Sequence, residues 1–583
     1  MDHSIRGHLD AFLQGKISRR DFITRALALG LSTPAVTAIL ASCAQPSEPA
    51  TGAEPAAEPK EEADEVPKEP QIGGTLRMWF PPPQHDLSFF IYNSRRKAIP
   101  FKLIYNQLFR WNNTLSEIVP DFATSWEWNE ERTKVTFQLR ENAKFHDGEP
   151  ATAEDVEFSY TIVANPATGS RWVTPLEPIV GAKEYSAGDA DSITGIEVID
   201  ETTISFEFTG PAPGVWNAVM SQIPIVPKHI LQDVPPETMP EHEQIVGLAI
   251  GTGPFRLIDY REGEFREFEA FEDYFLGRPR LDKILQILVD SSVIAPSLEA
   301  AEMDIGGPLT PYLAVEDVGR MDANPGLKRF TGPSNIVNQF GFNNETVPLR
   351  IRQACIMAVD RETIVRDALA SLYQPYHSLF THSWLREGND TFGSIADLKT
   401  YPYDPDQARA LVQEAIDAGE WEAGRTLKWL SSEAEPGPVP ILLQSMLQDV
   451  GIPSEFSVAV GPDYRQKLYE EYDFDIRGPG GSSGGFDPDF LFINFGCYQY
   501  WNHSQYCKEE VDELFAQGRT FWEQDERRPI YLDIARHINE DLPRATLWLR
   551  INLWYLENGI HATPADYGEN VTYDYVHEWW MES

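Results

Sequence analysis

The sequence predicts an α/β protein of several domains, on three observations. Strand and helix patterns alternate along the whole length without a short fixed repeat. The stretch from Ile72 to Ser583 is long enough for roughly two to four domains. Apolar residues make up 42% of the chain and aromatics 12%, ample for a large core.

Ahead of that stretch the chain reads as an address followed by a tether. "SRRDFITRALALGLSTPAVTAILASC", Ser18 to Cys43, opens on Arg19-Arg20, and after Arg25 nothing is charged until past Cys43. The uncharged run contains Gly30 and Pro34 and is too short and too weakly apolar to span a bilayer, which takes about 20 apolar residues. Ser-Arg-Arg-x-Phe-Ile before a mild apolar core resembles a twin-arginine export signal, and Leu40-Ala41-Ser42-Cys43 resembles a lipobox. Residues 1–42 are therefore expected to be a signal peptide, and Cys43 to carry a lipid that attaches the chain to a membrane. Residues 43–71 are mostly Ala, Pro, Glu and small polar types, with Val66 the one large aliphatic. Such a segment buries too little apolar surface to offset chain entropy, so a disordered acidic tether is expected.

The core should start at "GGTLRMWF", Gly73 to Phe80, a turn and an alternating strand. In "TKVTFQLRENAKFHDGEPATAEDVEFSY", Val135, Phe137 and Leu139 alternate as a half-buried strand, and Thr152-Ala153-Glu154-Asp155 starts a helix in the manner of a capping box. Strands recur in "SITGIEVIDETTISFEF" and "TGPFRLIDYREGEFREFEAF". One helix fits "VPLRIRQACIMAVDRETIVRDALAS", with Cys355 as a buried small hydrophobe. Another fits "DPDQARALVQEAIDAG", with Asp404 as cap and Pro405 at the first position. "ILLQSMLQDVGI" is too short and polar to cross a membrane. The formal net charge of −42 argues against nucleic acid as a partner. In an exported chain Cys497 and Cys507 are open to a disulfide.

Five blocks in order carry a resemblance over nearly the whole mature chain: "GGTLRMWF", the segment "LSEIVPDFATSWEWNEERTKVTFQLRENAKFHDGEPATAEDVEFSY", "GTGPFRLIDYREGEFREFEAFEDYFLGRPRLDKI", "FGFNNETVPLRIRQACIMAVDRETIV" and "FDPDFLF". The chain resembles the family 5 extracytoplasmic solute-binding proteins, the oligopeptide, dipeptide and nickel receptors of ABC importers. The resemblance implies a two-lobe periplasmic-binding-protein fold, type II and cluster C-like, with an extra subdomain. Carried over, lobe one takes residues 72–109, 223–330 and 546–583, the extra subdomain 110–222, and lobe two 331–545. It also implies a monomer that captures a peptide or other amphipathic solute and delivers it to permease subunits, with no cofactor. A sensory lipoprotein would carry the same signature.

Cleft candidates are Trp79 and Phe80 at the end of the first strand, Asn338 and Phe340 entering lobe two, and Trp384 after "YHSLFTHS". "IRGPGGSSGGFDPDFLFINFGCYQYWNHSQY" adds Ser483, Gly484, Phe486, Asp487, Tyr500 and Trp501 through a Gly-Ser turn and an aromatic patch. In peptide receptors, the resemblance implies, a Trp and an Asp just before this Asp-Pro pair pack on the ligand and bind its α-ammonium. Those positions fall here on about Gly481 and on Gly484. Asp487 or Asp489 is left as a substitute, although Asp487 before Pro488 also reads as a helix cap.

Two other chemistries are tested by spacing. Gly481-Ser482-Ser483-Gly484-Gly485 matches Gly-x-Ser-x-Gly, but a nucleophile elbow needs a strand before the serine and a helix immediately after it, and here the helix signal waits for Asp487-Pro488. His377 and His382 flank an aromatic loop without metal-ligand spacing, so no metal site is expected.

Overall fold

The first strand, Thr75–Phe80, buries Leu76 and Met78 and pairs in parallel with Lys283–Leu288. A computed structural model describes residues 69–80, 98–112, 117–246, 248–261, 263–289, 291–306, 313, 315–385, 395, 398–432, 437–483, 485–499, 501–562 and 572–582. The expected signal peptide, Cys43, the tether as far as residue 68, Gly484 and Tyr500 lie outside the described residues.

An 11-stranded sheet organises the chain. From one edge its order is Ser454–Val458, Leu427–Ser431, Ile476–Ser483, Leu327–Phe342, Arg544–Glu557, Ile305–Gly306, Thr75–Phe80, Lys283–Leu288, Phe265–Ala270 and Phe255–Arg261, with Tyr373–Pro375 attached to Arg544–Glu557. The two long strands in the middle, Leu327–Phe342 and Arg544–Glu557, are antiparallel and run from one half of the sheet into the other. Their ladder slips between Pro333 and Val337, opposite Ile551 and Leu549. On one side of the slip Ile305–Gly306 joins Arg544–Glu557. On the other, Ile476–Ser483 joins Leu327–Phe342. Two chain crossings therefore connect the halves, and an irregular ladder at the junction is where strands bend most readily.

A separate four-stranded antiparallel sheet holds Ala123–Trp128, Lys134–Leu139, Thr203–Glu207 and Ile196–Asp200 in that order. Val135, Phe137 and Leu139 face inward as the alternation predicts. The helix Ala153–Ala164 packs on this sheet, and the Thr152 backbone N–H donates to Asp155 at 2.8 Å, the N-terminal closure read from the sequence. Asp404 caps Pro405–Asp417 by accepting from the Gln407 backbone N–H at 2.9 Å.

One expected element differs. The single helix over "VPLRIRQACIMAVDRETIVRDALAS" is two pieces: Leu349–Met357, and a second run that begins at Arg361 and widens to π geometry over Ile364–Ala368. Asp360 makes the break by accepting from the Thr363 backbone N–H at 3.1 Å, so a fresh helix starts where apolar periodicity alone runs on. Cys355 is fully buried on the first piece, its thiol pushed up by desolvation. Among the described residues no helix is long and apolar enough to cross a membrane.

Candidate functional site

The Gly-Ser segment read from sequence as a turn is a strand. Ile476–Ser483 pairs with Leu327–Phe342, placing Asn338 opposite Gly481 and Ile336 opposite Ser483. Backbone groups make the ladder, and glycine supplies them as well as any residue does. Gly478 sits at φ 110° with a cis bond to Pro479, and a Cβ there would stand 2.4 Å from the Gln339 carbonyl oxygen, so only glycine fits. Gly481 is exposed and Asn338 half-buried, leaving an open strip of backbone beside one amide side chain. Ser483 ends the strand, and the next helical turn begins at Pro488, without the immediate helix that an elbow requires.

Beyond the strip, Phe486, Asp487 and Trp384 gather around one buried ion pair. Phe486 stacks on Trp111, with ring centroids 6.1 Å apart and planes 21° apart. Trp111 is fixed by donating its indole N–H to the Asn217 carbonyl at 3.0 Å. Asp487 is 1% exposed, and its carboxylate accepts four hydrogen bonds: from Arg527 Nη1 at 2.6 Å and Nη2 at 2.7 Å, from Asn217 Nδ2 at 2.8 Å, and from the Asp489 backbone N–H at 2.9 Å. The last of these makes it the cap of the short helix Pro488–Leu491. Burial alone would raise its pKa, but the Arg527 guanidinium and these donors hold the carboxyl below its ordinary range. Asp489 accepts from Arg519 Nε at 2.8 Å, and Tyr531 donates to it at 3.3 Å. The Trp384 ring stands edge-on to Tyr531, with Arg527 5.8 Å from its centroid.

These contacts join the four-stranded sheet's neighbourhood to the second half of the chain. Asn217 lies at the end of the helix Pro213–Ala218, which packs on Pro488–Leu491, and a Cβ on Gly214 would meet Asp489 Oδ2 at 2.7 Å. Nearby, Trp522 meets Trp128 edge-on at 4.6 Å and approaches Trp216 at 6.2 Å, with the Arg132 guanidinium 5.5 Å from its ring.

The other predicted residues fall elsewhere. Trp79 and Phe340 are core residues, 3% and 0% exposed, and Phe340 packs edge-on to Trp429 at 5.6 Å. Phe80 closes the first strand. Trp501 is 38% exposed and rests edge-on against Tyr469 at 5.4 Å. Cys497 and Cys507 are joined in a disulfide. No cluster of His, Cys, Asp and Glu suited to a metal occurs among the described residues. The expectation that Asp487 or Asp489 stands in for a missing ammonium anchor meets a physical obstacle, because both carboxylates are engaged by arginines. Sequence reasoning passed over Arg527, Trp111, Asn217 and Trp522. A signal existed for Arg527, which shares a helical face with Ile530, Ile534 and Ile538 and so had to be buried and paired.

Over residues 117–502 the chain matches the family model described as bacterial extracellular solute-binding proteins, family 5 middle. The dipeptide-binding protein of Escherichia coli strain K12 is 25% identical over 464 residues, covering 76% of this chain and 82% of that protein. The solved oligopeptide-binding protein AppA of Bacillus subtilis, in complex with a nonapeptide, matches with a TM-score of 0.73 and 21% identity over 88% of this chain and 100% of that one. The protein AgaA from A. tumefaciens R10, in complex with agropinic acid, matches with a TM-score of 0.70 and 20% identity over 88% and 99%. The shared architecture is the type II periplasmic-binding-protein fold.

Proposed function

Because the chain belongs to the family 5 bacterial extracellular solute-binding proteins, we propose that it is the receptor of an ABC importer, trapping a solute between two lobes and presenting the closed form to a permease. The observation that carries this reading is the paired crossing of Leu327–Phe342 and Arg544–Glu557, a two-strand hinge whose ladder slips at the junction. Closure would bring Trp111, Asn217 and Trp216 against Phe486, Asp487 and Trp522. The receptor breaks no bond; a ligand that touches both lobes shifts an open-to-closed equilibrium.

The ligand class is a peptide or another amphipathic small solute. Peptides are supported by the names of the relatives. A non-peptide is supported by the chemistry of the strip: an enclosed α-ammonium without a carboxylate loses a charge-assisted hydrogen bond and keeps its desolvation cost, several kcal/mol in order of magnitude. Using Asp487 instead would mean breaking the pair with Arg527, at a cost of about 3–5 kcal/mol. We also propose export by the twin-arginine route and anchoring through lipid on Cys43, supported by the order of features from Ser18 to Cys43. The protein would work as a monomer outside the cytoplasmic membrane.

Native mass spectrometry of residues 72–583, before and after mild denaturation, tests the ligand. A released peptide assigns the family's usual cargo. A released non-peptide assigns the changed strip a changed ligand. A protein that binds nothing in a subsequent thermal-shift screen of peptides, sugars and metal chelates refutes the receptor reading.

A further inference from the structure

Behind the second half of the long strand pair lies a small cavity whose polar lining comprises Arg361, His377, Ser378, Tyr401, Asn539, Arg544 and Thr546. Its volume is about 20 Å³, and about 10–15 Å³ suffices for one water-sized body. The charged side chains in its lining are Arg361 and Arg544. Arg544 is 3% exposed and Arg361 6%, and among the described residues neither guanidinium is paired with a carboxylate.

Arg361 spends its donors on the carbonyls of Tyr376, Tyr401 and Thr546 and on His377 Nδ1. Arg544 Nη2 donates to the Trp501 carbonyl at 2.9 Å. Its approach to His503 Nδ1, at 3.1 Å, is not a second bond. His503 Nε2 accepts from Arg477 Nε at 2.9 Å, and Nδ1 faces the Trp501 carbonyl at 3.3 Å, so Nδ1 carries the proton and meets Arg544 donor to donor. Arg544 Nε has no partner. Arg477 adds a further cation nearby, and burial followed by that repulsion holds the Arg544 pKa well below its ordinary value. The acid felt by Arg361 is Glu362, which points to solvent.

A buried guanidinium with an unfilled donor and no counter-charge is unfavourable on both counts, and one small anion corrects both. We propose that this cavity binds a monovalent anion of halide size, held between Arg544 and Arg361 with Ser378, Asn539 and Thr546 around it. Arg544 starts the strand Arg544–Glu557 opposite Gly341, so the anion would brace the base of the hinge strand on the second lobe.

The test uses the whole purified protein and bromide as probe. Crystals soaked in sodium bromide should show an anomalous peak within hydrogen-bond distance of Arg544 Nε. Tm should rise with the logarithm of chloride or bromide concentration, measured against sodium gluconate at equal ionic strength. Arg544→Gln should lose that rise, and the wild-type measurements decide by themselves if this variant does not fold. An absent bromide peak in the cavity overturns the proposal, and so does a Tm that rises equally in gluconate.

Discussion

Replacing Trp522 with alanine should open the receptor. The side chain makes two aromatic contacts, edge-on to Trp128 and tilted to Trp216, and carries the Arg132 guanidinium over its ring. An aromatic pair is worth about 0.5–1.5 kcal/mol and an exposed cation–π contact about 0.5–1 kcal/mol. Together these contacts favour closure by about 1.5–4 kcal/mol, which is roughly 10-fold to 700-fold in the ratio of closed to open forms. Trp216 at 6.2 Å contributes least, so the lower half of that range is the better expectation. Small-angle X-ray scattering on ligand-free wild type and Trp522→Ala reads the change as a larger radius of gyration in the variant. Trp522→Phe, which keeps an edge for Trp128, should recover part of the closed form. Superimposable scattering curves for wild type and Trp522→Ala would refute the assignment of this cluster to closure.

Four further outcomes are expected elsewhere in the molecule. Arg527→Met should cost about 3–5 kcal/mol in urea unfolding because Asp487 is left charged and buried, whereas Arg527→Met with Asp487→Asn should recover much of that loss. His146 is held near a pKa of about 4 and His577 about 3, each chiefly by burial. Both lie below the unfolded value of 6.5, so the unfolded chain takes up protons first and stability falls as pH drops from about 6.5 towards 4. The loss is about 2 kcal/mol per histidine at pH 5, and His146→Gln should remove one such increment from the urea midpoint. Replacing Cys497 and Cys507 with serine releases a ten-residue constraint and should cost about 2–3 kcal/mol by the same assay. Wild type and Ser483→Ala should both be inert towards a chromogenic ester; turnover that disappears in the variant would mean a hydrolase.

What was legible in the sequence is what local chemistry decides. Thr152 with Asp155, and Asp404 with Pro405, announce helix starts because a short polar side chain beside the first free N–H groups has few other uses. Asp360 carried the same signal but sat inside an apolar run whose period continues across it, so the break was hidden. Composition misled at Gly480 and Gly481, where a strand is held by backbone bonds to Gln339 and Asn338 that no side chain advertises. Trp111 on Phe486 and Asn217 on Asp487 were out of reach, since nothing local says which of many aromatics or amides will meet across hundreds of residues.

The Asp487-Pro488 pair was found by its local role as a cap, and the cap is real. Its charge, however, is spent on a long-range partner, Arg527, whose presence on an apolar helix face demanded a buried acid somewhere. Asn217 donates to the same carboxylate, so Asp487 both pairs with Arg527 and accepts from the first half of the chain. A carboxylate with those duties cannot also hold a cationic ligand end without weakening the proposed closure. Under the proposed function, glycine at position 484 would leave the strip beside Asn338 to recognise a solute through backbone groups and aromatic faces, which favours a ligand that brings no unpaired ammonium into the cleft.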